Sequence, residues 1–190
     1  MRFSGERVVI GDMKSHISTL QEHIARYNFA LQFALNKTVI DAAGGTGYGT
    51  KLLQEAASKV TGADISQEAC TYAASLYSDI AFNQCDLNKD FPTGKFDLCV
   101  SFETIEHLEK PEIFLQNVKD NCKEFLFSIP VSNPSKYHVQ VLDQNQIVNM
   151  INQYWKKVVW FNQKGSYIFN GLDNATFLIG YINETNKFKI

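Results

Sequence analysis

Apolar positions along the chain switch repeatedly between a helical and a strand-like period. From Asp12 to Leu35, Ile17, Leu20, Ile24, Tyr27, Phe29, Ala30, Phe33 and Ala34 recur at three- and four-residue spacings, as one helix face requires. Thr38 to Asp41 then reads as a buried strand that runs into a glycine-rich turn. Lys51 to Ser58 reads as helix and Lys59 to Asp64 as a second strand. Ser66 sits at an N-cap position with Glu68 in the first turn, so Ser66 to Tyr77 is expected to be helix. Further strands are predicted at Ile80 to Asn83, Phe96 to Ser101 and Glu124 to Pro130, with a helix over Pro111 to Cys122. The last part gives a helix from Asp143 to Tyr154, a strand from Lys157 to Phe161, a loop with Gly165 and Gly171, and a strand from Asn174 to Ile182. Strands alternating with helices predict βαβ units around a parallel sheet.

Size and composition narrow this little. The chain has 190 residues and a hydrophobic fraction of 45%, which fits one soluble domain over residues 1–190 with one core. Eighteen basic and twenty acidic residues give a net charge of −2, so there is no broad positive footprint for a nucleic-acid backbone. No apolar run reaches the roughly 18 residues needed to cross a bilayer, and the start lacks a signal-peptide stretch. A cytoplasmic protein without a membrane partner is expected. Cys70, Cys85, Cys99 and Cys122 form no C-x-x-C pair and read as inert thiols.

The chemistry concentrates in Thr38-Val39-Ile40-Asp41-Ala42-Ala43-Gly44-Gly45-Thr46-Gly47-Tyr48-Gly49. Glycine at 45, 47 and 49 lets a backbone take positive φ and approach a ligand closely. A dinucleotide fingerprint needs G-x-G-x-x-G, and here the third Gly comes one place early. Asp41 would also repel a pyrophosphate. The run resembles the first motif of the class I S-adenosylmethionine (AdoMet) methyltransferases. That resemblance implies that the loop wraps the methionine part of AdoMet and that Asp41 binds its amino group. It further implies that Asp64, closing the second strand, accepts from both ribose hydroxyls. Asp86 would accept from the adenine amino group, with Leu87 as a backbone donor. Ala43, Gly45, Gly47, Tyr48, Ile65, Phe102 and Tyr27 complete the implied cofactor contacts. The segment Phe96 to Leu108 matches the fourth family motif. The implied fold is a Rossmann-like α/β domain with helices on both faces. Its seven-stranded sheet would run 3-2-1-4-5-7-6 with strand 7 antiparallel, capped by a helical segment over residues 1–35.

Glu103, Glu106 and His107 stand at i, i+3 and i+4 and would share one face of a helical turn. Two carboxylates and an imidazole suit a divalent cation such as magnesium or manganese. The grouping resembles the metal-binding E-x-x-E-H of ubiquinone-pathway O-methyltransferases and of small-RNA 2′-O-methyltransferases, which add a later His. His138 is the candidate for it. The same phrase also resembles bacterial small-molecule and sugar methyltransferases, in which His107 would serve as general base without metal, and a structural role is the third reading. Glu22-His23-Ile24-Ala25-Arg26-Tyr27 resembles a segment that lies over the cofactor in the sugar-modifying enzymes. Arg26 and Tyr27 either contact ligand or belong to a surface helix with Tyr27 packed inward. His16 reads as a surface residue. The expected function is methyl transfer from AdoMet to an oxygen or nitrogen of a small hydroxylated acceptor, a sugar or nucleotide-sugar, with His107, Glu106 or His138 in the catalytic roles. The rivals are a metal-dependent RNA 2′-O-methyltransferase and a non-catalytic AdoMet-binding subunit.

Overall fold

The computed structural model describes residues 17–173 and 175–184. The predicted helix start at Asp12, the first part of the expected cap, the position of His16 and the strand start at Asn174 lie outside them. Helix α1 spans Ile17–Ala34 and leads into β1, Thr38–Ala42. Helix α2 (Tyr48–Leu53), β2 (Lys59–Asp64), α3 (Gln67–Leu76), β3 (Ala81–Gln84) and β4 (Phe96–Phe102) follow. A 3-10 turn at Ile105–His107 precedes α4 (Pro111–Asn121), β5 (Cys122–Pro130) and α5 (Gln144–Asn152). The last elements are β6 (Val159–Lys164), β7 (Tyr167–Asn170) and β8 (Phe177–Asn183). Local chemistry fixes two of the helix starts. The Ser66 hydroxyl accepts from Ala69 N, and Asp143 makes a reciprocal capping box with Gln146, each cap supporting its helix by about 1 kcal/mol.

The sheet has eight strands in the order β3-β2-β1-β4-β5-β8-β6-β7, not the seven expected. β3, β2, β1, β4 and β5 are parallel, and β8 enters antiparallel between β5 and β6. The extra strand is β7, which pairs antiparallel with β6 at the edge and occupies the segment expected to be loop.

Alternation along the strands sends side chains to two cores. Ile40, Cys99, Phe125 and Phe127 face α4 and α5, meeting Phe114, Leu115, Ile147 and Ile151. Val39, Leu98, Val100 and Leu126 face the other way, toward Tyr27, Ala30 and Ala34 of α1 and Leu53 of α2. Helices therefore cover both faces, as parallel strands buried on two sides require. Among the described residues, no helix is long and apolar enough to cross a membrane.

The β5–β8 pairing places Phe127 opposite Gly180, where an added Cβ would come within 2.2 Å of the ring. Overpacking of this kind costs about 1–3 kcal/mol. Gly180→Ala is therefore expected to lower unfolding stability by that amount in urea titrations, and an unchanged midpoint would mean that Phe127 has room to move.

Candidate cofactor and acceptor site

The chain leaves β1 for β2 and β3 on one side and returns to β4 on the other, so β1 and β4 flank a topological switch point, where α/β sheets bind ligands. A cavity of about 570 Å³ opens there. Ala43, Gly44, Gly45, Thr46 and Tyr48 form its floor after β1; Asp64 and Ile65 follow β2; Cys85, Asp86 and Leu87 follow β3. Phe102, Glu103 and His107 line it after β4, α1 contributes Thr19, His23 and Tyr27, and the loop after β5 contributes Asn133, Ser135, Tyr137 and His138.

The glycine loop is built by close approach as much as by backbone sign. Gly45 and Gly47 take φ of 58° and 80°, but Gly49 does not share the positive φ expected for it. Gly49 lies in α2, where an added Cβ would fall 2.0 Å from the Tyr27 ring. Gly47 does not line the cavity; its missing Cβ makes room for Ala73 and for the Phe82 ring.

Asp41 departs furthest from its expected place. Its side chain is fully buried beneath the loop and does not reach the cavity. Thr50 Oγ1 donates to it at 2.6 Å and the Tyr27 hydroxyl at 3.2 and 3.3 Å. Burial pushes its carboxyl up to about 7, against the downward pull of those two donors. Asp64 accepts from Gly45 N and from Ser66 N, both at 2.9 Å, so it ties the loop to β2 while lining the cavity. Asp86 pairs with Lys89 at 2.7 Å and accepts from Asn88 N; the Lys89 bond, and then Asn88, hold it below the ordinary carboxylate range. Ile65 is 57% exposed beside these acids and offers an apolar surface.

Glu103 does not share a helical face with Glu106 and His107. It takes a left-handed φ of 51°, and helical geometry is confined to one 3-10 turn over Ile105–His107. Its carboxylate turns toward α1 instead, where Arg26 Nη2 pairs with Oε1 and His23 Nε2 approaches the same oxygen at 3.0 Å. Arg26 itself is fully buried, donates to Gln163 at 2.7 Å and lies over the Phe177 ring at 4.5 Å. Burial, with the Arg26 cation second, drives His23 down to about 3. A neutral imidazole facing a carboxylate must donate through Nε2, so Nδ1 accepts from the Tyr48 hydroxyl at 2.7 Å. His23 had no role in the expected site. Its signal was the spacing 23, 26 and 27, which sets His23, Arg26 and Tyr27 on one helix face.

Glu106, His107 and His138 do come together, each offering a ligand atom within 4.8 Å of the others. His107 Nδ1 faces the Tyr137 carbonyl at 3.0 Å and His138 Nδ1 the Asn133 carbonyl at 2.8 Å. A carbonyl only accepts, so both rings carry hydrogen on Nδ1 and keep the lone pair on Nε2 when neutral. Glu106 is buried, with Oε1 3.9 Å from His107 Nε2. Its backbone carbonyl accepts from Val139 N and Gln140 N, pinning the His138 loop to the turn after β4.

The fold is a Rossmann-like α/β domain with its cavity at the carboxyl edge of the sheet. Residues 40–124 match the family model described as a methyltransferase domain. The chain is 26% identical over 181 residues to "Putative methyltransferase 235L" of Invertebrate iridescent virus 6, a match covering 89% of this chain and 64% of that relative's length. It superposes with a TM-score of 0.71 on an AdoMet-dependent methyltransferase of Thermotoga maritima, at 13% identity over 88% of this chain and 91% of the other. An AdoMet-dependent methyltransferase of Clostridium acetobutylicum gives 0.68, at 10% identity over 86% and 91%. At such identities the structural likeness is one of fold. Together these comparisons show a likeness to AdoMet-dependent methyltransferases.

The Asp41 carboxyl titrates near 7 when folded, against 3.8 as its ordinary value. The folded state thus binds this proton more tightly, and the stability it contributes is complete below about pH 4 and lost as pH rises through about 7. In urea unfolding, wild type is expected to lose stability relative to Asp41→Asn between pH 5 and pH 8. A pH-independent difference would mean that Asp41 stays ionised across that range.

Proposed function

We propose that the chain transfers the methyl group of AdoMet to an oxygen or nitrogen of a small hydroxylated acceptor, with a neutral sugar-like molecule favoured. The observation that carries this is the single cavity wall on which the glycine loop, Asp64 and Asp86 follow one another along the carboxyl edge of β1, β2 and β3. These residues fit the cofactor. Asp64 would accept from the ribose hydroxyls, Asp86 and Leu87 would meet the adenine edge, and Ile65 would lie against the ring. Charge-assisted acceptance of this kind strengthens each bond. AdoMet supplies an already activated methyl group, so the protein's share is orientation and exclusion of water. Tyr27 and Phe102, whose rings meet edge to face at 5.1 Å, would close the side of the cavity nearest α1.

The acceptor's proton would pass to Nε2 of His107 or His138, the ring position that the two backbone carbonyls leave basic. Glu106, His107 and His138 also fit a divalent cation such as magnesium or manganese, since Nδ1–H bonds to carbonyls are the usual support of metal-binding imidazoles. Held there, such a cation would lower the pKa of an acceptor hydroxyl. The cavity is lined by Asp64, Asp86 and Glu103 and, among the described residues, by no Lys or Arg. Phosphate-bearing acceptors, a nucleotide-sugar or an RNA end, would meet these carboxylates without a Lys or Arg side chain on the cavity wall to offset them. That weighs against both the nucleotide-sugar and the RNA readings.

Calorimetry with AdoMet tests the cofactor assignment. Asp64→Ala is expected to weaken binding by about tenfold or more, as loss of a charged hydrogen-bonding partner does, and unaltered affinity would sink the assignment. A screen of sugars, catechols and short RNAs for release of S-adenosylhomocysteine, with and without chelator, tests the rest. Dependence on added metal that Glu106→Ala abolishes would support the cation. Full turnover in excess chelator that His107→Ala or His138→Ala removes would support the imidazole base.

A further inference from the structure

The loop between β5 and α5 turns its side chains in a direction that burial of apolar area would not choose. Val139 and Val141 are exposed, while Gln140 between them is half-buried. Removing the valines from water would favour the opposite arrangement, so a polar contact decides where Gln140 points. Gln140 Nε2 donates to the Leu108 carbonyl at 2.9 Å, and Gln140 N donates to the Glu106 carbonyl at 3.0 Å. One residue thus grips the carbonyls of both neighbours of His107.

We propose that Gln140 is the positioning residue for His107 and His138, clamping the loop to the turn after β4 so that both rings keep hydrogen on Nδ1; its part in catalysis rests on the methyl-transfer reading proposed above. The two carbonyls that fix the rings belong to this same loop. Tyr137 O faces His107 Nδ1 at 3.0 Å and Asn133 O faces His138 Nδ1 at 2.8 Å. The stretch is also tied to itself, by His138 N to Ser135 O at 3.1 Å and Tyr137 N to Ser135 Oγ at 3.3 Å. Its hold on the turn comes from Val139 N and Gln140 N on the Glu106 carbonyl and from the Gln140 amide on the Leu108 carbonyl. The two rings meet edge to face with centroids 4.9 Å apart, so a shift of one disturbs the seat of the other. Taking a proton and holding a cation both need the lone pair on Nε2. An imidazole drawn away from its carbonyl can move its hydrogen to Nε2 and lose that lone pair. Gln140 therefore acts through the two histidines and needs no contact with the acceptor.

Long-range proton–nitrogen NMR spectra of the full chain test this without AdoMet or an acceptor. They are recorded above the ordinary titration range of imidazole and assigned by replacing each histidine in turn. Wild type is expected to carry hydrogen on Nδ1 of both His107 and His138. Gln140→Met keeps the length of the side chain and removes the donor. It is expected to lower the ratio of Nδ1–H to Nε2–H forms by about 2- to 10-fold in both rings, the net effect of one hydrogen bond. Gln140→Glu has the same shape but, when ionised, offers the Leu108 carbonyl no donor, and it carries the test should the methionine variant not melt cooperatively. Gly180→Ala, which loses stability through the Phe127 contact instead, is the control and is expected to leave both rings as in wild type. Nε2–H rings in wild type overturn the proposal. So do rings that stay unchanged in the Gln140 variants, or a Gly180→Ala variant that shifts them equally, since the tautomer would then follow general stability. The calorimetry above judges AdoMet binding separately: failure there with Nδ1–H rings that depend on Gln140 would remove the methyl-transfer reading and leave the clamp standing.

Discussion

The burial of one carboxylate, Asp41, organises the functional edge of this molecule. A carboxyl group taken wholly out of water must be satisfied by hydrogen bonds or kept protonated, and the surrounding sequence supplies the donors. Thr50 reaches it from α2 and Tyr27 from α1, so one side chain at the end of β1 ties two helices to the sheet. The glycines nearby make those approaches sterically possible. A Cβ at Gly44 would fall 2.8 Å from Asp41 Oδ2 and 2.9 Å from Thr50 Oγ1, and one at Gly49 would strike the Tyr27 ring. The loop that forms the cavity floor is therefore shaped from beneath, by packing around a buried acid, as well as from above by the ligand it would receive.

A second tie runs from α1 to β4. Arg26 is anchored to Gln163 of β6 and paired with Glu103, and the buried guanidinium lies over Phe177 of β8. Replacing one partner of such a pair leaves an uncompensated buried charge, so α1 is not a loosely laid cover. It is held at Tyr27 by the β1 acid and at Arg26 by the β4 acid. His23, between the glycine loop and Glu103, joins the two ties through Tyr48. The helix thereby presents His23 and Tyr27 to the cavity at fixed positions, which fits a wall that orients a ligand and excludes water.

Most of the fold was legible in the sequence, because two-sided burial leaves long apolar strands and the helices carry clear caps. Ser66 and Asp143 mark helix starts that the structure reproduces. β7 was not legible: Tyr167–Asn170 is four residues at a sheet edge, with Tyr167 and Phe169 exposed, so no buried alternation marks it. At the site, residue identity was easier to read than direction. Asp41, Asp64 and Asp86 do stand at or just beyond the carboxyl ends of successive strands, but sequence does not tell whether a carboxylate there points above the loop or below it. Only the pairing of Thr50 and Tyr27 with Asp41 separates the two. Glu103 was misplaced for a related reason: the i, i+3, i+4 spacing implies a common face only if the backbone is helical from the first residue, and a φ of 51° turns Glu103 out of that register.

That φ belongs to a pattern. Ala43 at 67°, Glu103 at 51° and Ser132 at 49° are non-glycine residues in left-handed conformation, and they follow β1, β4 and β5 at the same edge of the sheet. Backbone strain of this kind persists where surrounding structure over-determines it, and it gathers at binding sites. Here each reversal has a nearby hydrogen bond that holds it: Gly44 N to Ala63 O, Glu103 N to Ser128 O, and Ser132 N to Leu142 O. Turning the chain abruptly at three neighbouring strand ends opens the cleft between β1 and β4, where a smoother exit would continue the strand over it. Two of these strained residues, Ala43 and Glu103, line the cavity itself.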